Sequence, residues 1–137
     1  MGPVNWLAVL VAALVALGVW LVWNMRLYGR ARLEELGPGG LNQRVAPWRT
    51  LMLTFVLLLI SATMIGHMFA RVGPATLAAK PWLYFMMSGG LAGAFVVPAM
   101  WVNYMNLRVS LRLALIDTGF WLVAYLAIGL TFFLLAR

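Results

Sequence analysis

The chain has no cysteine, one histidine and three acidic residues, Glu34, Glu35 and Asp117. Without cysteine there is no disulfide framework, no thiolate metal site and no cysteine nucleophile. With three acids and His67 alone, no Ser-His-Asp arrangement, paired carboxylates, phosphate-cradling glycine loop after a strand or His-rich zinc spacing can be assembled. The expectation is a protein that is not an enzyme and carries no cofactor. Charged residues make up 9% of the 137 positions and hydrophobic ones 65%. Soluble domains carry roughly a quarter charged residues, so water is not the main solvent here. The net charge of +7 comes from ten Lys and Arg that lie beside apolar runs. They form no single basic face of the kind that tracks phosphate, which argues against a nucleic-acid partner.

What the chain does have is long apolar runs. The first, residues 4–25, would span about 33 Å as a helix at about 1.5 Å per residue, enough to cross the hydrocarbon core. No Lys or Arg precedes it and Arg26, Arg30 and Arg32 follow it, which suits an uncleaved span rather than a signal peptide. Further runs at about 50–70, 82–105 and 111–136 complete an all-α, four-transmembrane-helix bundle in a single domain, 1–137. The lipid bilayer is its first partner. The polar connection 26–49 contains a stretch, 27–36, that reads as a short amphipathic helix at the membrane surface, ended by Gly37-Pro38-Gly39-Gly40. It is either a lipid-headgroup or partner-docking segment, with Arg26, Arg30 and Arg32 able to meet anionic lipid, or a solvated connector. Gly73-Pro74 and Lys80-Pro81 break helix between the second and third spans. The link carrying Arg108 and Arg112 forces the last two spans into an antiparallel hairpin.

Positive residues are retained on the cytoplasmic side. Arg26, Arg30, Arg32, Arg44, Arg49, Arg108 and Arg112 fall on one side, and Arg71, Lys80 and Arg137 on the other. The seven-to-three split places both termini outward. Trp6, Trp23, Trp48, Trp82 and Trp101 lie near span ends, as headgroup anchors do. A faint echo between 23–27 and 103–108 raises a parallel repeat of two hairpins.

Asp117 is the most informative residue, because a carboxylate about two turns inside a span is costly unless paired, protonated or facing water. Expected partners are Arg26, Arg49, Arg108 and Arg112, with Asn24, Asn103 and Thr118 as hydrogen-bonding groups. The cluster reads either as a structural pair or as an ion-coupling site. Met64, His67 and Met68 share one helical face, with Met86 and Met87 in the next span, so imidazole and thioether ligands to Cu(I) or haem are a further candidate. A stripe of this kind in a membrane helix is more often packing.

Small residues form the other constellation, since close backbone approach is what holds helices together in lipid. Gly89 and Gly93 make a Gly-x-x-x-Gly face, extended by Ser88, Gly90, Ala92 and Ala94, and Ala62, Gly66 and Ala70 offer a second. Packing within the chain and contact with another chain are both open. Pro98 is expected to kink the third span, with Asn103 and Asn106 beyond it.

The opening Val4-Asn5-Trp6-Leu7-Ala8-Val9-Leu10-Val11-Ala12-Ala13, with Leu113-Ala114-Leu115-Ile116-Asp117-Thr118-Gly119-Phe120 and Gly129, resembles a domain-of-unknown-function family of small bacterial four-span proteins. The chain departs from it at Trp20-Leu21-Val22-Trp23-Asn24, where the family tends to have Trp-Tyr followed by Pro or Gly. The resemblance implies the bacterial inner membrane and implies no activity. The leading expectation is a non-enzymatic bundle acting by association, as an accessory subunit of a larger membrane complex or as a homo-oligomer. The alternatives are a small ion- or proton-coupled carrier using Asp117, and a metal or haem protein built around His67.

Overall fold

The computed structural model describes residues 2–42 and 47–136, with side chains for 2–37 and 47–136. Arg44 and Arg137, both used in the orientation count, lie outside these residues. The described residues are mostly helical and include no strand. Its α-helices are α1 (Trp6–Val22), α2 (Gly29–Asn42), α3 (Pro47–Val72), α4 (Pro74–Ala79), α5 (Leu83–Leu91), α6 (Val97–Asn106) and α7 (Leu111–Leu135). π turns join α1 to the α2 approach at Trp23–Leu27, and α5 to α6 at Ala92–Val96.

Four of the resulting rods are long and apolar enough to cross a membrane: Trp6–Leu27, Pro47–Val72, Leu83–Asn106 and Leu111–Leu135. They match the expected runs with edges moved by up to three residues, because a helix continues past its apolar stretch wherever its ends are capped or wound on. At α1 the Asn5 side chain accepts from the Ala8 N–H at 3.0 Å. At α7 the Ser110 hydroxyl accepts from the Leu113 N–H at 3.1 Å. Each satisfies one orphan donor of its first turn. Ser110→Ala should therefore cost about 1 kcal/mol, seen as a lowered midpoint in detergent unfolding; no change would show the cap to be idle.

Between the second and third spans the two Gly/Lys-Pro breaks enclose one short helix. Gly73 ends α3 at φ 88°, a conformation that suits glycine, and Pro74 opens α4 at its first turn. In the third span Pro98 is preceded by the π turn Ala92–Val96. A wider turn is how a helix accommodates a ring that lacks an N–H and crowds the carbonyl four residues back. The echo at 23–27 and 103–108 does not correspond in conformation, since the first segment is a π turn and the second ends in regular helix and turn.

Span one sits at the centre of the bundle. Its alanine face (Ala8, Ala12, Ala13, Ala16) is fully buried, and α3 presents Leu58, Ala62, Ile65 and Phe69 to the core. α1 packs against both α3 and α7, and α7 packs against α5 on its other side. The spans thus follow the order two, one, four, three. Small side chains let the backbones come close, and dispersion between them supplies what the hydrophobic effect cannot supply in lipid. The outward surface is apolar, with Leu7, Leu10, Leu53, Ile60, Phe95, Val102, Leu115 and Leu126 all exposed. Of the third span's most apolar stretch 11% is buried, against 39% for the fourth, so the third is the peripheral helix.

Candidate functional site

The first span does not stop at Val22. The π turn carries it to Leu27, closed by the Tyr28 N–H donating to the Trp23 carbonyl at 2.8 Å. Gly29 follows, where a Cβ would collide with the Asn24 carbonyl. The chain then runs into α2, which is broken at Gly37 (φ 65°) as the Gly-Pro-Gly-Gly text implies. Trp23 is not simply an interface anchor. Its indole N–H donates to the Ile116 carbonyl of α7 at 3.0 Å, and its ring lies over Gly119.

α2 is tied to the start of α7 by every acid in the chain. Arg32 Nε donates to Asp117 Oδ1 at 2.8 Å and Nη2 to Oδ2 at 3.4 Å. Arg112 Nη1 lies 3.5 Å from Glu34 and 3.3 Å from Glu35, and the Ser110 hydroxyl donates to Glu35. From α6, the Tyr104 hydroxyl donates to Asp117 Oδ2 at 2.7 Å. The Asp117 side chain is 12% exposed and that of Arg32 is 40% exposed. The carboxylate is thus held mostly out of solvent while its guanidinium partner keeps one side in the open.

The expected partners of Asp117 are corrected by this arrangement. Arg112 serves Glu34 and Glu35 instead. Arg26 and Arg108 are exposed, and Arg49 stacks over the Trp48 ring at 5.3 Å. Thr118 donates to the Ala114 carbonyl of its own helix. Asn103 is exposed, on a different side of α6 from its neighbour Tyr104. The two residues that do reach the carboxylate were not identified as partners. The sequence leaves Arg32 either to anionic lipid or to a solvated connector, and its contact with Asp117 needs α2 to fold back over α7. Tyr104 left a usable signal, since a phenol inside a span is itself a group in search of an acceptor.

Beside the cluster is a cavity of about 190 Å³ whose walls come from all four spans and α2: Trp20, Asn24, Arg32, Thr54, Leu57, Met100, Tyr104, Asp117, Phe120 and Trp121. Asn24 donates through its amide nitrogen to the Trp20 carbonyl at 3.0 Å. The site therefore offers one carboxylate, one guanidinium, a phenol, an amide, the Thr54 hydroxyl and several aromatic residues, at the end of the bundle where α2 lies.

The second candidate region lies towards the other end. His67 Nδ1 is 2.8 Å from the Thr63 carbonyl, and its ring meets Trp6 edge-on at 5.7 Å. Met64 is exposed and Met68 half-buried. Among the described residues no group of three or more His, Cys, Asp or Glu is placed to hold a metal ion.

The small-residue faces divide. Ala62 and Gly66 are buried, and a Cβ at Gly66 would come within 2.9 Å of Val9 and 3.0 Å of Phe132. Gly89 is half-buried against Leu126 of α7, while Gly93 is exposed, with only Leu122 at 4.0 Å. Both are directed at α7, Gly89 closely and Gly93 loosely, and the two leucines they meet are one turn apart along that helix. The tight contact between the third and fourth spans is instead Ser88 and the Tyr84 carbonyl against Gly129.

A family model described as a protein of unknown function, DUF1761, matches residues 7–133. No curated protein and no solved structure matches the chain.

Proposed function

The chain belongs to the DUF1761 family, and from that footing we propose that it is a non-enzymatic membrane bundle that works by association, with another copy of itself or within a larger membrane complex. One observation carries the reading. The third span leaves Gly90 and Ala94 exposed, four residues apart, and a Cβ added at Gly90 meets nothing within 4 Å. Glycine inside a helix costs about 1 kcal/mol relative to alanine in water. At Gly90 no contact within the chain recovers that cost, whereas a second helix approaching this face would. The proposed setting is the bacterial inner membrane, on the family resemblance, with the arginine-rich connection in the cytoplasm and both termini outward.

The test separates association from folding. Gly90→Leu combined with Ala94→Leu should reduce the mass of the detergent-stable particle, measured by light scattering after size exclusion, while leaving its helical content intact. An unchanged particle mass would remove this face as the interface. Gly89 is not suited to that test, since a larger side chain there presses on Leu126 within the chain.

An ion- or proton-coupled carrier is the second reading, favoured by the contribution of all four spans to the Asp117 cavity. Against it stands the occupation of the carboxylate by Arg32 and Tyr104.

A further inference from the structure

We propose that the cavity beside Asp117 is a binding site for a small organic monocation of the guanidinium or quaternary-ammonium class, and that Arg32 holds its carboxylate from within the chain and yields it to the ligand. The occupant seen in the structure is itself the first argument. A guanidinium, a cation of low charge density, sits on the carboxylate at 2.8 Å at the wall of a cavity that still has about 190 Å³ free.

The walls fit that chemistry. Four aromatic residues, Trp20, Tyr104, Phe120 and Trp121, line the space around a single carboxylate. Aromatic faces attract organic cations through the ring quadrupole, most strongly where water is excluded. The Asn24 amide spends its nitrogen on the Trp20 carbonyl, and its oxygen remains an acceptor at the same wall. Hard metal ions are poorly served here, because they want several oxygen ligands and the cavity supplies one acid. Size permits it: at about 30 Å³ per water the space equals roughly six waters, room for a choline-sized cation.

Arg32 is built to leave. It comes from α2, outside the spans, and its side chain is 40% exposed, so the guanidinium can turn into water without crossing the bundle. Only one of its two contacts to Asp117 is short, the second being 3.4 Å. When it swings away, α2 remains tied to α7 through Arg112, Glu34, Glu35 and Ser110. The ligand would therefore exchange with a side chain and not with a helix. A tethered competitor lowers the apparent affinity by the fraction of time the site is free, and its removal restores the intrinsic value.

The experiment uses the full chain in detergent or nanodiscs, titrated with choline and, separately, with dimethylbutanol, its neutral carbon isostere. Binding is read from tryptophan fluorescence, since Trp20 and Trp121 line the site, and from the thermal midpoint. Choline should give a saturable change at millimolar concentration in the wild type, and the isostere none. Arg32→Ala should bind choline about ten-fold tighter or more, with a larger rise in midpoint on saturation. Asp117→Asn, if monodisperse, should not bind it. Arg32→Gln serves the same comparison should Arg32→Ala fail to fold. The proposal is overturned by equal responses to choline and the isostere, by unchanged choline affinity in Asp117→Asn, or by no gain in affinity when Arg32 is replaced. The wild-type titration decides independently of any variant: no saturable choline response there also overturns it.

Discussion

Gly129→Ala should be among the most damaging single substitutions in the chain, costing about 3 kcal/mol or more, above the usual range for one added methyl in a packed core. The Cβ would fall on the Ser88 hydroxyl and lie 2.7 Å from the Tyr84 carbonyl oxygen, and the second of these is backbone. Ser88 has little freedom to move, since its hydroxyl already donates to that same carbonyl at 2.7 Å. Relief therefore requires α5 and α7 to separate, and in lipid no hydrophobic gain holds them together once close contact is lost. The midpoint of unfolding in mixed micelles is the measurement. Adding Ser88→Ala should recover part of the loss and not all of it, because the Tyr84 carbonyl stays. Gly93→Ala serves as the control, since the nearest atom to its added carbon is at 4.0 Å. A Gly129→Ala protein as stable as Gly93→Ala would show that the two spans are not packed as described.

The second large effect is an asymmetry in the Asp117 cluster. Arg32→Ala leaves a carboxylate at 12% exposure with Tyr104 as its remaining partner. Asp117→Asn leaves a guanidinium that is 40% exposed and free to turn into water. Removing one partner of a buried pair is costly because the other is stranded, whereas an exposed partner is rescued by solvent. Arg32→Ala should cost about 2–3 kcal/mol and Asp117→Asn about 1 kcal/mol. The double variant should be more stable than Arg32→Ala alone, since the stranded charge is gone. Equal losses from the two single changes would mean that Asp117 is better hydrated than its burial implies. Both losses are separable from the choline experiment, which reads affinity in whichever variant is folded.

Much of the architecture is a local property of the text. Each span follows from a run of apolar residues long enough to cross a bilayer, and the caps at Asn5 and Ser110, the αL glycine at Gly73 and the disturbance before Pro98 are all set by neighbours within a few positions. That Asp117 needs company also follows locally, from the cost of a charge inside an apolar helix. The identity of the company does not. Arg32 lies 85 positions away, and only the turn at Trp23–Leu27 and Gly29 brings α2 back over α7. Arg112, nearer in the chain and on the same helix, is taken by Glu34 and Glu35.

The glycines show the same division. Their spacing identifies surfaces on which helices can approach, at 66, 89 and 93. It does not say how closely each is used: Gly66 is wedged between Val9 and Phe132, Gly89 presses on Leu126, and Gly93 meets Leu122 only at 4.0 Å. Gly129 passes unremarked as a packing residue in the text, yet it meets the closest backbone approach between the third and fourth spans. By itself the sequence determined four apolar helices, their breaks, and one acid that had to be answered, since these depend on chain-local periodicity and solvation. Tertiary structure decided which arginine answers Asp117, which glycine faces inward and where a cavity opens between the spans. Those outcomes depend on the relative rotation and order of the helices, and in a membrane the apolar pattern is nearly the same on every side of a helix and so fixes neither.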